Sequence, residues 1–251
     1  MRLKGKVAIV TGAGQGIGEG IARSLAKEGA AVVINDMNAE TGAKVAKSIV
    51  EGGGKAVYEG GDVSTLAANQ KLVEAAKKSF GRLDVIVCNA GVAHWNKPIL
   101  DVTEEEFDKI MAVNVKGLFQ AARATIPVFE AQKSGNIIVI ASTAGIRPRP
   151  GLCWYNASKG AAITATKSMA VELGPKGIRV NAICPVATET PLLPQFMGGD
   201  NANNRAKFES TVPLGRLAQP QDHANAAVFL ASDESSFITG VALEVDGGRC
   251  I

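Results

Sequence analysis

Short apolar runs rich in β-branched residues alternate with longer helical patterns along almost all of the 251 residues. The runs predict seven buried strands, at 6–11, 31–34, 55–59, 83–88, 136–141, 178–184 and 241–245. Helical patterns follow them, one ending near Gly29 and others lying at 39–51, 66–80, 103–130, 152–173 and 220–230. Because a helix is the usual crossover between parallel strands, the sequence predicts an α/β protein. We expect one doubly wound parallel sheet with helices on both faces, in a single domain over residues 1–251.

The first strand runs into a glycine-rich turn, and a helix follows that turn. Glycines at such a point let the backbone approach a pyrophosphate, and the helix N-terminus supplies free N–H groups and a positive dipole end. Tight packing is the alternative explanation. The order of strand, turn, helix and acidic residue favours a dinucleotide site of the Rossmann type. Its contacts would come from Gly12, Gln15, Gly16, Ile17 and Gly18.

Asp36 follows the second strand, where a carboxylate can hold both hydroxyls of an adenosine ribose and repel a 2′-phosphate. Its neighbours Met37 and Asn38 offer no cation for such a phosphate, and neither does Gln15. The alternative is that Asp36 caps the helix that follows. We therefore expect NAD rather than NADP as the cofactor.

Polar and small residues also follow the later strands. Asp62, next to Val63, either meets the adenine or caps the helix that begins near Ser64. Small residues after the fourth strand would let a cofactor lie over the strand end. Since ligands of such sheets bind beyond the carboxyl ends of the strands, we expect one site there. Its further members would be Asp62, Val63, Asn89, Ala90, Gly91, Ser142 and Pro185.

Tyr155 and Lys159 stand four residues apart in a helical pattern, so their side chains share one face. A cation within about 4–6 Å favours a phenolate and lowers the pKa of a tyrosine. The pair can then take a proton from an alcohol or return one to a carbonyl oxygen. Alone the pattern is weak, because a core tyrosine beside a solvated lysine has the same spacing. Asn114 interrupts the apolar stripe of the helix at 103–130, and a mid-helix asparagine needs partners for its amide.

Composition argues against several classes of function. The net charge is +3 and the basic residues are scattered among acidic ones, so we expect no nucleic-acid or membrane partner. Four cysteines without Cys-x-x-Cys spacing indicate reduced thiols and a cytoplasmic protein. With only two histidines, we expect no metal site.

The segment at about 186–213 has little periodicity and carries separate apolar residues, among them Leu192 and Phe196. A segment of this length in a compact domain is usually a lid or a binding loop. We therefore expect a substrate lid here.

Taken together, the motifs resemble those of the short-chain dehydrogenase/reductase family, in order and spacing, over essentially the whole chain. The matching residues are Thr11, Gly12, Gly16, Gly18, Asn89, Ala90, Gly91, Asn114, Ser142, Tyr155 and Lys159. The resemblance implies that Ser142 holds the substrate oxygen and that Tyr155 is the general acid/base. It implies that Lys159 lowers the pKa of Tyr155 and binds the nicotinamide ribose. It further implies that Asn114 holds a water in a proton relay from Lys159, and that the protein is a homotetramer.

Two positions depart from the family pattern. Cys88 stands where an asparagine is common, and Val186 stands where a glycine is common. Valine does not comfortably adopt a positive φ. We therefore expect a negative φ at Val186, with its side chain near the nicotinamide or the substrate. Thr188 and Thr190 remain available for the carboxamide of the cofactor.

The leading hypothesis is a metal-free oxidoreductase that moves a hydride between NAD and a secondary alcohol or ketone, with a small-molecule substrate. A 3-oxoacyl-carrier-protein reductase is the alternative, but such enzymes usually use NADP, which Asp36 disfavours. A non-catalytic protein that senses a dinucleotide and has the same fold is the third hypothesis. Arg147 either meets an acidic substrate or is a solvated charge at the rim. The candidate substrate neighbours are Ala93, His94, Trp95, Ile146, Arg147, Leu152 and Trp154.

Overall fold

The computed structural model describes residues 1–251. Seven strands form one sheet in the order β3-β2-β1-β4-β5-β6-β7, and every neighbouring pair is parallel. The predicted fold class is therefore confirmed, with strand limits that differ by one or two residues. The strands are β1 (Val7–Thr11), β2 (Ala31–Asn35), β3 (Lys55–Tyr58), β4 (Val85–Cys88), β5 (Gly135–Ile140), β6 (Ile178–Pro185) and β7 (Ala242–Val245).

Helices cover both faces of this sheet. They are α1 (Gly16–Lys27), α2 (Ala39–Glu51), α3 (Leu66–Phe80), α4 (Glu104–Ile110), α5 (Gly117–Gln132), α6 (Cys153–Leu173), α7 (Leu193–Met197), α8 (Ala202–Glu209) and α9 (Pro220–Ala231). The apolar sides of α1, α2 and α9 form one core cluster with the sheet. Those of α3, α5 and α6 form the other. No helix combines the length and the apolar character that crossing a lipid bilayer requires.

The central strands are apolar on both faces because helices cover both. Every residue of β1, β2 and β5 is buried, whereas the edge strands β3 and β7 are only partly buried. The chain builds the sheet outward from β1 to β3, then returns to place β4 on the other side of β1. This reversal leaves a crevice beyond the carboxyl ends of the strands, which is where such sheets bind ligands.

The long helix predicted at 103–130 is divided in the structure. After α4, a π-helical turn spans Met111–Lys116, and α5 begins at Gly117. The wider turn shifts the phase of the apolar stripe, so Leu118 is buried while Phe119 is 55% exposed. Asn114 lies in this turn and is buried. The interruption seen in the sequence is therefore a change of helix type.

The segment predicted as a lid contains two short helices, α7 and α8, which its weak periodicity did not indicate. Leu193 of α7 packs with Leu217. Val186 packs with Val212 and Ala218, which joins the two ends of the segment. The segment is thus a small folded unit over the crevice, and its movement as a lid stays a prediction.

Candidate active site

A cleft of about 420 Å³ lies along the carboxyl ends of the strands. Three of the four predicted catalytic residues line it, namely Ser142, Tyr155 and Lys159. The predicted cofactor residues that line it are Gly12, Gln15, Gly16, Ile17, Asp36, Asp62, Val63, Asn89, Ala90, Gly91, Pro185, Val186, Thr188 and Thr190. Gly18 and Asn114 are the two predicted site residues that do not line it.

Thr11 and Asn89 join the ends of β1 and β4 beneath the cleft. The Thr11 hydroxyl oxygen accepts hydrogen bonds from the backbone N–H groups of Asn89 and Ala90, both at 3.0 Å. The Asn89 side-chain amide donates to the carbonyl oxygens of Thr11 at 2.8 Å and Gly12 at 2.9 Å. These bonds fix the floor on which a cofactor would lie.

Two glycines allow the turn to sit this close to β4. Gly12 has a φ of +60°, and a Cβ there would lie 2.8 Å from the Cα of Ala90. A Cβ on Gly18 would overlap the Gly12 carbonyl oxygen and the Asn89 side chain. Gly18 therefore serves the packing of α1 against the turn, which explains why it does not line the cleft.

The N-terminus of α1 faces the cleft, and its first backbone N–H groups are not capped by a side chain. Gln15 stands at the N-cap but makes no side-chain cap, so the N–H groups of the first turn have no side-chain acceptor. Such donors and the positive end of the helix dipole favour a phosphate. The residues at this end of the cleft therefore fit the pyrophosphate of a dinucleotide.

Asp36 lies directly after β2, and each of its carboxylate oxygens accepts one backbone N–H group. Its Oδ2 accepts from the Gly14 N–H and its Oδ1 from the Asn38 N–H, each at 2.9 Å. The cap of α2 is Asn38, which accepts from the N–H groups of Glu40 and Thr41. The capping alternative for Asp36 is therefore wrong, and the carboxylate faces the cleft.

The capping alternative for Asp62 is wrong as well. Thr65 caps α3, with its hydroxyl oxygen accepting from the Ala68 N–H at 3.3 Å. Asp62 instead holds the turn before the helix, because its Oδ1 accepts from the Ser64 N–H at 2.9 Å. It lines the cleft on the same side as Asp36, next to Val63.

Helix α6 places Tyr155 and Lys159 side by side at the other end of the cleft, and both side chains are buried. The Lys159 Nζ lies 5.7 Å from the centre of the Tyr155 ring. It donates to the carbonyl oxygen of Ile140, the last residue of β5, at 2.9 Å. The Ser142 hydroxyl oxygen accepts from the Ala144 N–H at 3.0 Å, and the hydroxyl donates to the Pro185 carbonyl oxygen at 3.5 Å. Ser142, Tyr155 and Lys159 thus form one buried cluster.

Burial dominates the protonation of this cluster. It raises the pKa of Tyr155 to about 12, although the Ser142 hydroxyl acts in the opposite direction. It lowers the pKa of Lys159 to about 8. Burial therefore moves the pKa of Tyr155 above its free value, opposite to the direction predicted for a tyrosine beside Lys159.

The Asn114 side chain is fully engaged with the protein. Its Oδ1 accepts from the Val92 N–H at 2.9 Å, and its Nδ2 donates to the Val92 carbonyl oxygen at 2.9 Å and to the Ser158 hydroxyl at 3.0 Å. A cavity of about 20 Å³ lies beside it and is also lined by Lys159 and Ile140. That volume holds one water molecule, and a buried water needs polar partners of the kind present here.

Beyond β6, Val186 keeps a negative φ as predicted, since Lys133 is the only non-glycine residue with a positive φ. The Thr188 hydroxyl donates to the Val186 carbonyl oxygen at 2.7 Å. It also lies 2.8 Å from the Nε2 of His223, which is fully buried. Because the hydroxyl proton is used on Val186, His223 donates from Nε2 to Thr188. Burial lowers the pKa of His223 to about 4, so this histidine is neutral at physiological pH.

The cleft also contains two residues that sequence analysis did not name, Phe208 and Arg149. Phe196, which belongs to the expected lid, has its ring centre 5.0 Å from that of Tyr155. Phe208 comes from α8 and Arg149 from the loop after β5, and no local pattern distinguishes either from an ordinary surface residue. Of the candidate substrate neighbours, Arg147 and Leu152 line the cleft. Those that do not are Ala93, His94, Trp95, Ile146 and Trp154.

One cluster of potential metal ligands was also missed. Ligand atoms of Glu244, Asp246 and Cys250 lie within 4.8 Å of one another, at and after β7. Both carboxylate oxygens of Asp246 already accept backbone N–H groups, from Gly248 at 2.9 Å and Cys250 at 2.8 Å. None of the three residues lines the cleft.

The fold and the cleft define a class of protein: an oxidoreductase that binds a dinucleotide at the crevice of a doubly wound sheet, beside a tyrosine–lysine pair. The family model described as Enoyl-(Acyl carrier protein) reductase matches residues 12–249. The chain belongs to the short-chain dehydrogenase/reductase family, whose dehydrogenases act on CH–OH groups.

Three known proteins illustrate the similarity. The chain is 47% identical over 252 residues to 4-formylbenzenesulfonate dehydrogenase TsaC1/TsaC2 of Comamonas testosteroni, covering 100% of both chains. It is 47% identical to a 3-ketoacyl-(acyl-carrier-protein) reductase from Brucella melitensis complexed with NADH, with a TM-score of 0.93 over 99% of this chain and 100% of that one. A gluconate 5-dehydrogenase from Burkholderia cenocepacia J2315, in complex with NADP and tartrate, is 35% identical, with a TM-score of 0.92 over 99% and 96%.

Proposed function

We propose that this protein transfers a hydride between NAD(H) and a small alcohol or carbonyl compound, with Tyr155 as the general acid/base. The observation that carries the proposal is the buried cluster of Ser142, Tyr155 and Lys159 at one end of a cleft whose other end presents Asp36. A nicotinamide cofactor supplies the hydride acceptor when bound. The residues of the chain then have to orient the substrate and move one proton.

The positions of the side chains support one route for the proton. Ser142 donates to the substrate oxygen and holds it beside the Tyr155 hydroxyl, which takes the alcohol proton in oxidation and returns one to the carbonyl in reduction. Lys159 stabilises the phenolate by its charge. Because the Asn114 side chain is fully hydrogen-bonded, its part in the relay is to shape the 20 Å³ cavity in which a water can meet Lys159.

NAD is the cofactor that we propose. Asp36 supports this choice, because its carboxylate at the end of β2 repels a 2′-phosphate and suits a ribose diol. The relative from Brucella melitensis, at 47% identity, was crystallised with NADH. The relative from Burkholderia cenocepacia was crystallised with NADP at 35% identity, so the family accommodates both cofactors.

A 3-oxoacyl-carrier-protein reductase remains the alternative, and the relative from Brucella melitensis bears that name. Such enzymes usually use NADP, and the Asp36 carboxylate would repel its 2′-phosphate. A purely dinucleotide-sensing protein is disfavoured, because it would have no need for Ser142, Tyr155 and Lys159 together.

We also propose a homotetramer in the cytoplasm. Large apolar side chains project from the long helices and near β7, with Phe119 55% exposed, Val171 81% and Phe237 fully exposed. Assembly would cover such residues. The four free thiols are typical of a reducing compartment. Sedimentation velocity at micromolar concentration should give a particle of four chains, and a stable monomer would contradict this.

The proposed function is tested by following NADH absorbance with a panel of secondary alcohols, benzylic alcohols, hydroxy acids and acyl thioesters. We expect NAD-dependent oxidation of at least one alcohol class, and weaker activity with NADP. Turnover only with NADPH and an acyl thioester would favour the alternative. Tight NADH binding with no turnover of any compound would favour the sensing protein.

A further inference from the structure

Two arginines line the substrate end of the cleft, and a third lies close enough for its charge to act on one of them. Arg147 and Arg149 follow β5 and both line the cleft. Arg249 follows β7 and is 8% exposed. The Arg147 Nη1 donates to the carbonyl oxygen of Arg249 at 2.7 Å and to the terminal backbone oxygen of Ile251 at 3.1 Å, which ties the β5 loop to the β7 segment.

None of these guanidinium groups has an acidic side chain as a partner. The ion pairs of the chain include neither Arg147, Arg149 nor Arg249. The Arg249 Nε is buried without any hydrogen-bond acceptor. Burial, and then the charges of Arg249 and Arg147, lower the pKa of Arg149 to about 10. A partly buried cation that faces two like charges is unfavourable unless something compensates it.

Arg149 is nevertheless held in a defined position. Its guanidinium stacks on the Phe208 ring, with the Cζ 4.2 Å from the ring centre. Its Nη2 donates to the Thr211 hydroxyl at 2.8 Å. Stacking and one hydrogen bond to a neutral group orient the planar guanidinium but leave its positive charge unneutralised. The parallel N–H groups of a guanidinium match the paired oxygens of a carboxylate or sulfonate.

The cofactor phosphates are not suited to this role. The glycine turn follows β1 and Asp36 follows β2, whereas Arg147 and Arg149 follow β5, on the other side of the reversal in strand order. An apolar patch accompanies Tyr155 at the same end of the cleft, formed by Leu152 and Phe196. A molecule with its reacting carbon at Tyr155 would cross this apolar patch on its way to Arg149.

We propose that the substrate carries a carboxylate or sulfonate group, that Arg149 binds this group with Arg147 beside it, and that an apolar body joins the acid group to the reacting carbon. The proposal rests on the function proposed above and names its substrate class. Arg149 is then a specificity-determining residue, and Arg249 adds to the positive potential around it.

The test compares matched alcohols that differ in one group: 4-(1-hydroxyethyl)benzoate, its methyl ester, 4-(1-hydroxyethyl)benzenesulfonate and 1-phenylethanol, together with the corresponding benzylic alcohols. We expect kcat/KM for the acids to exceed that for the ester by about 10- to 100-fold, as for a hydrogen-bonded charge pair. Equal values for acid and ester in the wild type would overturn the proposal.

Arg149→Gln should abolish the preference for acids over the ester, mainly through KM, and Arg149→Lys should retain part of it. Arg123→Gln is the matched control, because Arg123 also stacks on a phenylalanine, with its Cζ 5.5 Å from the Phe119 ring centre, but does not line the cleft. It should keep the full preference. A preference that survives in both Arg149→Gln and Arg147→Gln would also overturn the proposal.

Binding provides a readout that does not need turnover. Calorimetric titration with benzenesulfonate should detect binding to the wild type and to Arg123→Gln, weakened at least about tenfold in Arg149→Gln. Binding that Arg149→Gln leaves unchanged would overturn the proposal, as would undetectable binding to the wild type. If the anions bind through Arg149 but no alcohol is oxidised, the proposed function fails and the anion site stands. If alcohols are oxidised without regard to charge, the anion site fails and the proposed function stands.

Discussion

The Lys159 ammonium lies 5.7 Å from the centre of the Tyr155 ring and is anchored to the Ile140 carbonyl oxygen at 2.9 Å. Burial moves the two pKa values in opposite directions, up for Tyr155 and down for Lys159. At neutral pH the pair is therefore a neutral phenol beside an ammonium. Charge on the phenol is favoured only when the proton is being transferred, which is when the ammonium stabilises it most.

Replacing Tyr155 by phenylalanine keeps the ring against Phe196 but removes the hydroxyl. We expect the fold and NADH binding to persist, while kcat for alcohol oxidation falls by roughly 10²–10⁴-fold, the usual value of general acid–base catalysis. Because the pKa of Tyr155 is about 12, wild-type oxidation should rise with pH up to pH 10 without reaching a plateau, and Tyr155→Phe should lose that dependence. Steady-state kinetics between pH 6 and 10, with fluorescence titration of NADH, measure both. Near-native turnover with an unchanged pH profile would rule Tyr155 out as the base.

Lys159→Met should separate activity from stability. Burial lowers the pKa of Lys159 to about 8, whereas the free value is about 10.5. The free energy of unfolding is therefore highest above about pH 10.5 and decreases as the pH falls to about 8. At pH 7 the buried charge therefore costs roughly 3 kcal/mol. Methionine removes this cost, so we expect activity to collapse while Tm stays equal or rises. Calorimetry beside Lys167→Met, an exposed position of the same helix, provides the comparison, and a large fall in Tm would contradict the prediction.

Asp36→Asn removes the charge at the end of β2 while leaving an oxygen to accept from Gly14 or Asn38. We expect kcat/KM with NAD to fall, and kcat/KM with NADP to rise relative to it, because repulsion of the 2′-phosphate is lost. Glu40→Gln, a nearby exposed carboxylate that does not line the cleft, is the control. The assignment of Asp36 fails if the wild type already prefers NADP, or if the variant keeps the original ratio.

His223 should make the protein sensitive to acid. The folded protein keeps this buried ring neutral down to a pKa of about 4, whereas the unfolded chain takes up a proton below about 6.5. The unfolded state binds more protons in between, so stability falls with pH from about 6.5 to about 4, by roughly 3 kcal/mol. In His223→Gln, whose amide can still donate to Thr188, this loss should shrink. Urea unfolding at pH 7.5 and pH 4.5 measures it, and equal losses in both proteins would refute the assignment.

Patterns that depend on neighbouring residues were predictable from the sequence. The strand positions, the glycine turn and the spacing of Tyr155 and Lys159 all follow from local periodicity and from small residues at sites of close approach. Because parallel strands end at one edge of the sheet, the prediction that Gly12, Asp36, Asn89 and Ser142 share a site needed only the order of strands and helices.

Side-chain partners that come from distant parts of the chain were not predictable. The hydrogen-bond partners of the Asn114 side chain are Val92 and Ser158, which lie 22 and 44 residues away along the chain. The direction of the Tyr155 pKa depended on burial, which sequence spacing does not reveal.

The sequence by itself determined the doubly wound sheet and the residues at its carboxyl edge, because hydrophobic periodicity and glycine geometry are local and repeat from unit to unit. Only the tertiary structure decided the electrostatics of the cleft. Arg147, Arg149 and Arg249 come from two separate loops, and their mutual repulsion exists only once β5 and β7 lie in the same sheet with α8 folded over them. Charge and solvation depend on distance in three dimensions, and that distance is set by packing rather than by order along the chain.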